Sequence, residues 1–253
     1  MCKHLVYIAF CFVALGLLGC EETPPNTTIS QFDRPQDVTL VCYDETANKT
    51  FPVDCCRKSG VTVDGDCGVG LASATLFAFV TQTTPGEVAV VNLDSFSIVD
   101  QDERIPYTSF IPVGGQPSDI VATHNGQYVY TANYETSDLS VIDVISDNGT
   151  FSVLNNPTLR PARSIPLTLE NDDKQKASAA RMVLSVLPEE SRDRFAFVTQ
   201  PKLNRLAVVA LNADDCPSSE SENSAGCMLG YLPMEGRPWA VVTSEETSSI
   251  YVG

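Results

Sequence analysis

Hydrophobic and polar positions alternate through short runs along most of the chain, and the runs come in pairs. Phe77-Ala78-Phe79-Val80-Thr81 leads to Glu87-Val88-Ala89-Val90-Val91, Tyr128-Val129-Tyr130-Thr131-Ala132-Asn133 leads to Asp138-Leu139-Ser140-Val141-Ile142, and Phe195-Ala196-Phe197-Val198-Thr199 leads to Arg205-Leu206-Ala207-Val208-Val209. A period of two puts alternate side chains on opposite faces of a strand. The connectors TTPG, YETS and PKLN are rich in turn residues, so each pair predicts an antiparallel hairpin. The corresponding aromatics fall at Phe79, Tyr130, Phe197 and Tyr251, at spacings of 51, 67 and 54 residues.

The hairpins sit inside a larger repeat. Gly236-Arg237-Pro238-Trp239-Ala240-Val241-Val242 with Ile250-Tyr251-Val252 matches Gly115-Gln116-Pro117-Ser118-Asp119-Ile120-Val121 with Val129-Tyr130-Thr131, at a constant offset of 121. Arg34-Pro35-Gln36-Asp37-Val38 resembles Gln116-Pro117-Ser118-Asp119-Ile120, and residues 177–186 hold a degenerate copy. A further strand is expected at 108–113, 163–168 and 228–233, just ahead of the next unit. Four short antiparallel strands per unit are the anatomy of a propeller blade. The predicted fold class is therefore all-β: a β-propeller of four-stranded antiparallel blades, three of them here plus the start of a fourth. The spacings exceed the roughly 40–45 residues of a compact blade, so each unit carries an insertion. These are the Cys-rich segment 42–67, between the first two strands of the first unit, the acidic stretch 169–177 and the loop 216–227.

The segment Val129-Tyr130-Thr131-Ala132-Asn133 followed by Leu139-Ser140-Val141-Ile142-Asp143, with Gly114-Gly115-x-Pro117-x-x-Ile120-Val121 and Asn125-Gly126-x-Tyr128 upstream, resembles the YVTN-type β-propeller repeat. The likeness covers most of residues 30–253 and is best in the second unit. Gln82 and Gln200 replace the Asn that Asn133 keeps. Relatives of this type have seven blades, which implies that these 253 residues are an N-terminal fragment of a longer ring.

The amino terminus carries a different signal. A basic start at Lys3 precedes an apolar run from Leu5 to Leu18, too short for a comfortable membrane span and fitting a secretion signal over residues 1–19. Leu17-Leu18-Gly19-Cys20 resembles a bacterial lipobox; that resemblance implies a Cys20 acylated on sulfur and, after cleavage, on its new amino group. A conventional signal peptide that happens to contain Cys20 is the alternative. Residues 20–33 suit a solvated tether, and several acyl chains at about 0.8 kcal/mol per buried methylene would hold the domain on a bilayer. The expected location is the cell envelope, with Glu21 favouring the outer membrane. A formal charge of -16, more negative still once Lys3 is removed, repels phosphate backbones and argues against nucleic acid as a partner.

Six cysteines remain after the leader and the lipidated residue: Cys42, Cys55, Cys56, Cys67, Cys216 and Cys227. An even number in an exported chain makes disulfides the default. Cys216–Cys227 would close a polar loop; the other four pair either as 42–55 with 56–67 or as 42–56 with 55–67. A four-thiolate zinc site is the sharper rival, but no C-x-x-C pair is present. Catalytic chemistry has little support: His124 is the lone histidine beyond the leader and sits in a turn, and no nucleophile elbow, H-E-x-x-H helix, P-loop or dinucleotide fingerprint occurs. Asp64-Gly65-Asp66 could begin a calcium loop but lacks the distal Glu, and the sequons at Asn26, Asn48 and Asn148 are coincidental in a bacterial lipoprotein. Trp239, the single tryptophan, is expected in core or inter-blade packing. No catalytic residue, metal site or cofactor is expected. The functional expectation is a lipid-anchored binding or scaffolding propeller with a protein or carbohydrate ligand; a lactonase-like or dehydrogenase-like enzyme with its site in the central channel, and a purely structural envelope role, are the alternatives.

The anchor has a direct test. Intact-mass analysis of the exported protein should show a chain beginning at an acylated Cys20, and Cys20→Ser should move it from the membrane to the soluble fraction. An unmodified Cys20 in the mature protein removes the anchor.

Overall fold

In a computed structural model of the chain, residues 32–56, 67, 74–102, 109–145, 153–154, 162–168, 178–186, 193–217, 226–244, 246–247 and 249–253 are described. The first sheet contains β1 (Pro35–Asp44), β2 (Lys49–Phe51), β3 (Ala74–Gln82), β4 (Glu87–Asn92), β5 (Ser97–Ile98) and β6 (Ile111–Pro112). Its main path runs β2-β1-β3-β4-β5, and β6 also pairs with β4, so two short pieces share the outer-strand position. The expected strand at 108–113 thus shrinks to two residues. The second sheet holds β7 (Pro117–Ala122), β8 (Tyr128–Asn133), β9 (Asp138–Asp143) and β10 (Arg163–Pro166), and the third β11 (Met182–Leu184), β12 (Phe195–Gln200), β13 (Arg205–Ala210) and β14 (Cys227–Pro233), each paired antiparallel in chain order. A two-stranded sheet, β15 (Val241–Ser244) and β16 (Ser249–Val252), completes the described strands.

Neighbouring sheets meet along their first strands: β1 packs on β7, β7 on β11, and β11 on β15. Three antiparallel blades, two four-stranded and the first enlarged by β2 and by a split outer strand, stand side by side about their first strands with two strands of the next, and make this a β-propeller. The repeat extends to backbone dihedrals. Arg34 and Gln116, each preceding the proline that opens its first strand, take left-handed φ values of 53° and 52°.

Strand alternation explains how the blades cohere. Along the second blade, Tyr130, Ala132, Leu139 and Val141 face one way and join Ile165, Met182, Leu184, Val198 and Val209 in a core against the third blade. Val129, Ile142 and Val144 face the other way and join Val41, Phe77, Phe79, Val88 and Ile111 in a core against the first. Each blade therefore has two apolar faces, and each needs a neighbour.

The equivalent aromatics show what that neighbour does. Phe79 is fully buried and Tyr130 is 3% exposed, both between blades, whereas Tyr251 on β16 is 54% exposed. Trp239 departs from the expected packing position: it is 55% exposed, with its backbone N–H donating to the Gly253 carbonyl just before β15 and no described sheet over it. Three disulfides close two of the three insertions. Cys42–Cys56 and Cys55–Cys67 select one of the two open pairings, and Cys216–Cys227 closes the later loop. Closure of these loops stabilises by about 3 kcal/mol each on the loop-entropy estimate.

Gly114 holds the turn between the first two blades against the β8–β9 connector. A Cβ at this position would lie 2.4 Å from Thr136 Oγ1 and 2.5 Å from Asn133 Nδ2. Asn133 is itself fully buried, accepting from Thr131 Oγ1 and donating to Ser140 Oγ and Asp138 Oδ1. Gly114→Ala should accordingly lower stability by about 1–3 kcal/mol in urea titration. Gly230→Ala, where a Cβ meets nothing within 4 Å, is the control; equal losses for both would refute the packing assignment.

Candidate functional site

The first strands expose one repeated position to chemistry. The pairings Val38 with Val80, Ile120 with Thr131, Met182 with Val198 and Val241 with Val252 occupy equivalent places in successive blades. The residues immediately before them are Asp37, Asp119, Arg181 and Ala240. The register of β1 and β7 shifts just there, between Pro35 and Val38 and between Pro117 and Asp119. Such bulges re-aim side chains at strand ends. Asp37 N donates to Thr81 Oγ1 and Arg181 N to Thr199 Oγ1, both at 3.0 Å, so the first and third blades hold these residues in the same way.

Because first strands lie side by side, three distant residues converge. Arg181 Nη1 donates to Asp37 Oδ2 at 2.9 Å, to Asp119 Oδ1 at 3.2 Å and to the Ser118 carbonyl at 3.4 Å. Met182 N donates to Asp119 Oδ2 at 2.6 Å, and Ser118 Oγ donates to the Ala179 carbonyl at 2.9 Å. The side chains of Arg181 and Asp37 keep 42% and 30% of their exposure, against 9% for Asp119. The site is thus one nearly buried carboxyl beneath a half-exposed ion pair.

Burial pushes the Asp119 carboxyl up to about 7, helped by its hydrogen bond with Asp37, while the Met182 amide and Arg181 pull it back. A carboxyl that titrates near neutrality can bind, donate or accept a proton within the working range of most proteins.

Three buried amides lie at the ends of the adjoining second strands. Gln82, Asn133 and Gln200 are almost wholly buried. Gln200 Nε2 donates to the Leu167 carbonyl, which joins the third blade to the outer connector of the second. Gln82 Oε1 accepts from Asp33 N at 2.8 Å, and its Nε2 has no partner among the described residues.

The residues singled out by sequence fall elsewhere. Cys20 and Asp64-Gly65-Asp66 lie outside the described residues, as do Asn26 and Asn148. Cys42, Cys55, Cys56, Cys67, Cys216 and Cys227 are all in disulfides. His124 is exposed in its turn, where its backbone N–H donates to Asp193 Oδ2 and ties the second blade to the third. Among the described residues no group of three or more metal-ligating side chains occurs, and no helix is long and apolar enough to cross a membrane. In sequence Asp37 and Asp119 stand out only as matching positions of the repeat. The available signal is a charge recurring at one repeat position, just ahead of the apolar Val38 and Ile120.

No protein-family model matches the chain, and no curated protein matches it. Solved structures resemble it in shape. One, from Bacteroides uniformis and assigned as a 6-phosphogluconolactonase, has a TM-score of 0.47 at 13% identity, with 86% of this chain and 46% of that one covered. A protein of like assignment from Bacteroides fragilis gives 0.45 at 13% identity, covering 70% and 44%. The β-propeller domain of Cps50 (Swd1) from Myceliophteria thermophila gives 0.43 at 11% identity, covering 86% and 50%. The chain spans half or less of each of these structures.

The raised Asp119 carboxyl fixes the sign of a pH effect. Between about pH 4 and 7 the folded chain holds a proton that the unfolded chain has released, so this group's contribution to stability falls as pH rises across that window. The limiting slope is about 1.4 kcal/mol per pH unit. Urea unfolding at pH 5 and pH 8 should show a smaller loss for Asp119→Asn than for the wild type. Parallel losses would mean that Asp119 titrates as an ordinary carboxylate.

Proposed function

We propose that the chain is a lipid-anchored cell-envelope β-propeller that works as a binding module, receiving a polar ligand where Asp37, Asp119 and Arg181 meet. The observation that carries this reading is the convergence of three charged residues from three blades at one repeat position. Packing does not ask for them: Ala240 fills the same position before β15. A partly buried ion pair is weak support for stability, because desolvation offsets the attraction. A carboxyl shifted by burial beside a specific charge partner is a recognised mark of a candidate site.

The amino-terminal features support the location. The lipobox-like Leu17-Leu18-Gly19-Cys20 and a polar tether would set the propeller close to a membrane, and the acidic composition suits a domain held in solvent beside anionic headgroups. The resemblance to YVTN-type repeats supports the architecture of the ring. The disulfides fit an oxidising compartment.

A second reading has its own observation. Asp119, shifted to about 7 beside the more exposed Asp37, has the properties of a general acid or base, which favours a propeller enzyme with its chemistry at the channel. The residues are the same in both readings; what separates them is turnover.

A thermal-shift panel of sugars, short peptides, amino acids and organic acids separates these outcomes. At least one compound should raise the melting temperature of the wild type by several degrees and leave Asp37→Ala/Arg181→Ala unmoved. Consumption of that compound during incubation would establish the enzyme reading. A panel with no hit, or with equal shifts in both proteins, would remove the site.

A further inference from the structure

The hydrogen-bonding valences of the cluster are unevenly used, and the imbalance selects a ligand. Asp37 Oδ1 accepts from Val38 N at 2.8 Å and its Oδ2 accepts from Arg181. Asp119 Oδ1 accepts from Ile120 N and Arg181, and its Oδ2 accepts from Met182 N. Every carboxylate oxygen therefore already has an N–H donor. Arg181 differs: Nη1 serves three acceptors, whereas Nε and Nη2 have no acceptor among the described residues. The side chain is 42% exposed. A guanidinium carries five donors in a rigid fork, and the Nε–Nη2 edge matches two oxygens of one anion.

The two aspartates hold that edge in place. Arg181 sits just before β11, while its partners come from β1 and β7, so the guanidinium is clamped by two other blades. Clamping lowers the conformational entropy that a free arginine loses on binding. The overall negative charge of the chain works against a polyanion but not against a small anion paired at short range.

We infer that Arg181 is the anchor of an oxyanion site, taking the carboxylate or phosphate group of a small ligand on its Nε–Nη2 edge. The inference rests on the binding reading above and names its ligand class. Asp119 gates the affinity. The charged groups facing it are Asp37 from β1 and Arg181 from the approach to β11. With Asp119 protonated the cluster is neutral, one carboxylate against one guanidinium; with Asp119 ionised it carries one net negative charge and repels the ligand. Affinity should therefore fall as pH rises through about 7.

Calorimetry on the full chain with succinate and, separately, inorganic phosphate tests this and tells the two oxyanions apart. At pH 6 one of them should bind the wild type, at least tenfold tighter than at pH 8. Arg181→Lys keeps the charge and loses the fork, and should bind at least tenfold weaker at pH 6. Asp119→Asn should bind succinate with nearly the same affinity at both pH values, and phosphate with only the change that the anion's own ionisation brings. Circular dichroism of each variant confirms that the fold is intact; if Arg181→Lys does not fold, the pH response of Asp119→Asn decides. Absence of binding by either anion at pH 6, or binding that Arg181→Lys and Asp119→Asn leave unchanged, overturns the inference. If the panel described above returns a neutral or cationic ligand that needs Asp37 and Arg181, the binding module stands and its oxyanion specificity falls.

Discussion

Blade-on-blade packing is the interaction on which the rest of this structure depends. A four-stranded sheet whose strands alternate apolar side chains on both faces cannot be stable alone, because one face stays in water whatever the other does. Here Tyr130 and Leu139 serve one interface while Val129 and Ile142 serve the other. Apolar burial at about 25 cal/mol per Å² makes each interface favourable, and removing a neighbour exposes it. The contrast between fully buried Phe79 and half-exposed Tyr251, which occupy one repeat position, follows directly.

The same packing creates the charged site. Sheets arranged around their first strands bring the starts of those strands together, although Asp37 and Arg181 are 144 residues apart. A position that each blade repeats thereby becomes a point where several blades can contribute different chemistry. Asp, Asp, Arg and Ala at four equivalent places show the fold tolerating variation there, since the backbone bonds to Thr81 and Thr199 need no particular side chain at Asp37 or Arg181. The carboxylates of Asp37 and Asp119 also accept the backbone N–H groups of Val38, Ile120 and Met182, so the charged cluster is itself tied into the strands.

Much of the fold was legible because strands and turns are local. Alternation gave the hairpins at 77–92, 128–143 and 195–210 nearly to the residue, and Asn125-Gly126 marked the turn where Gly126 takes a positive φ of 70°. The outer strands were harder. A strand of two residues, such as Ile111–Pro112, has too little periodicity to read. The site was not legible as a site, because Asp37 and Asp119 look like any polar residue at a strand start. Arg181 lies in the most degenerate copy of the repeat, so nothing in the sequence pairs it with Asp37 and Asp119.

The chain's sequence by itself determined the local structure, the repeat, the number of cysteines available for bridging and the left-handed turns, since all of these depend on neighbours a few residues away. Only the tertiary structure decided which of two cysteine pairings forms, which faces are covered, and that two aspartates and an arginine share one hydrogen-bonded cluster. Those outcomes depend on distances between residues far apart in the chain. Such distances are set by how the blades turn about their first strands, and no local pattern encodes them.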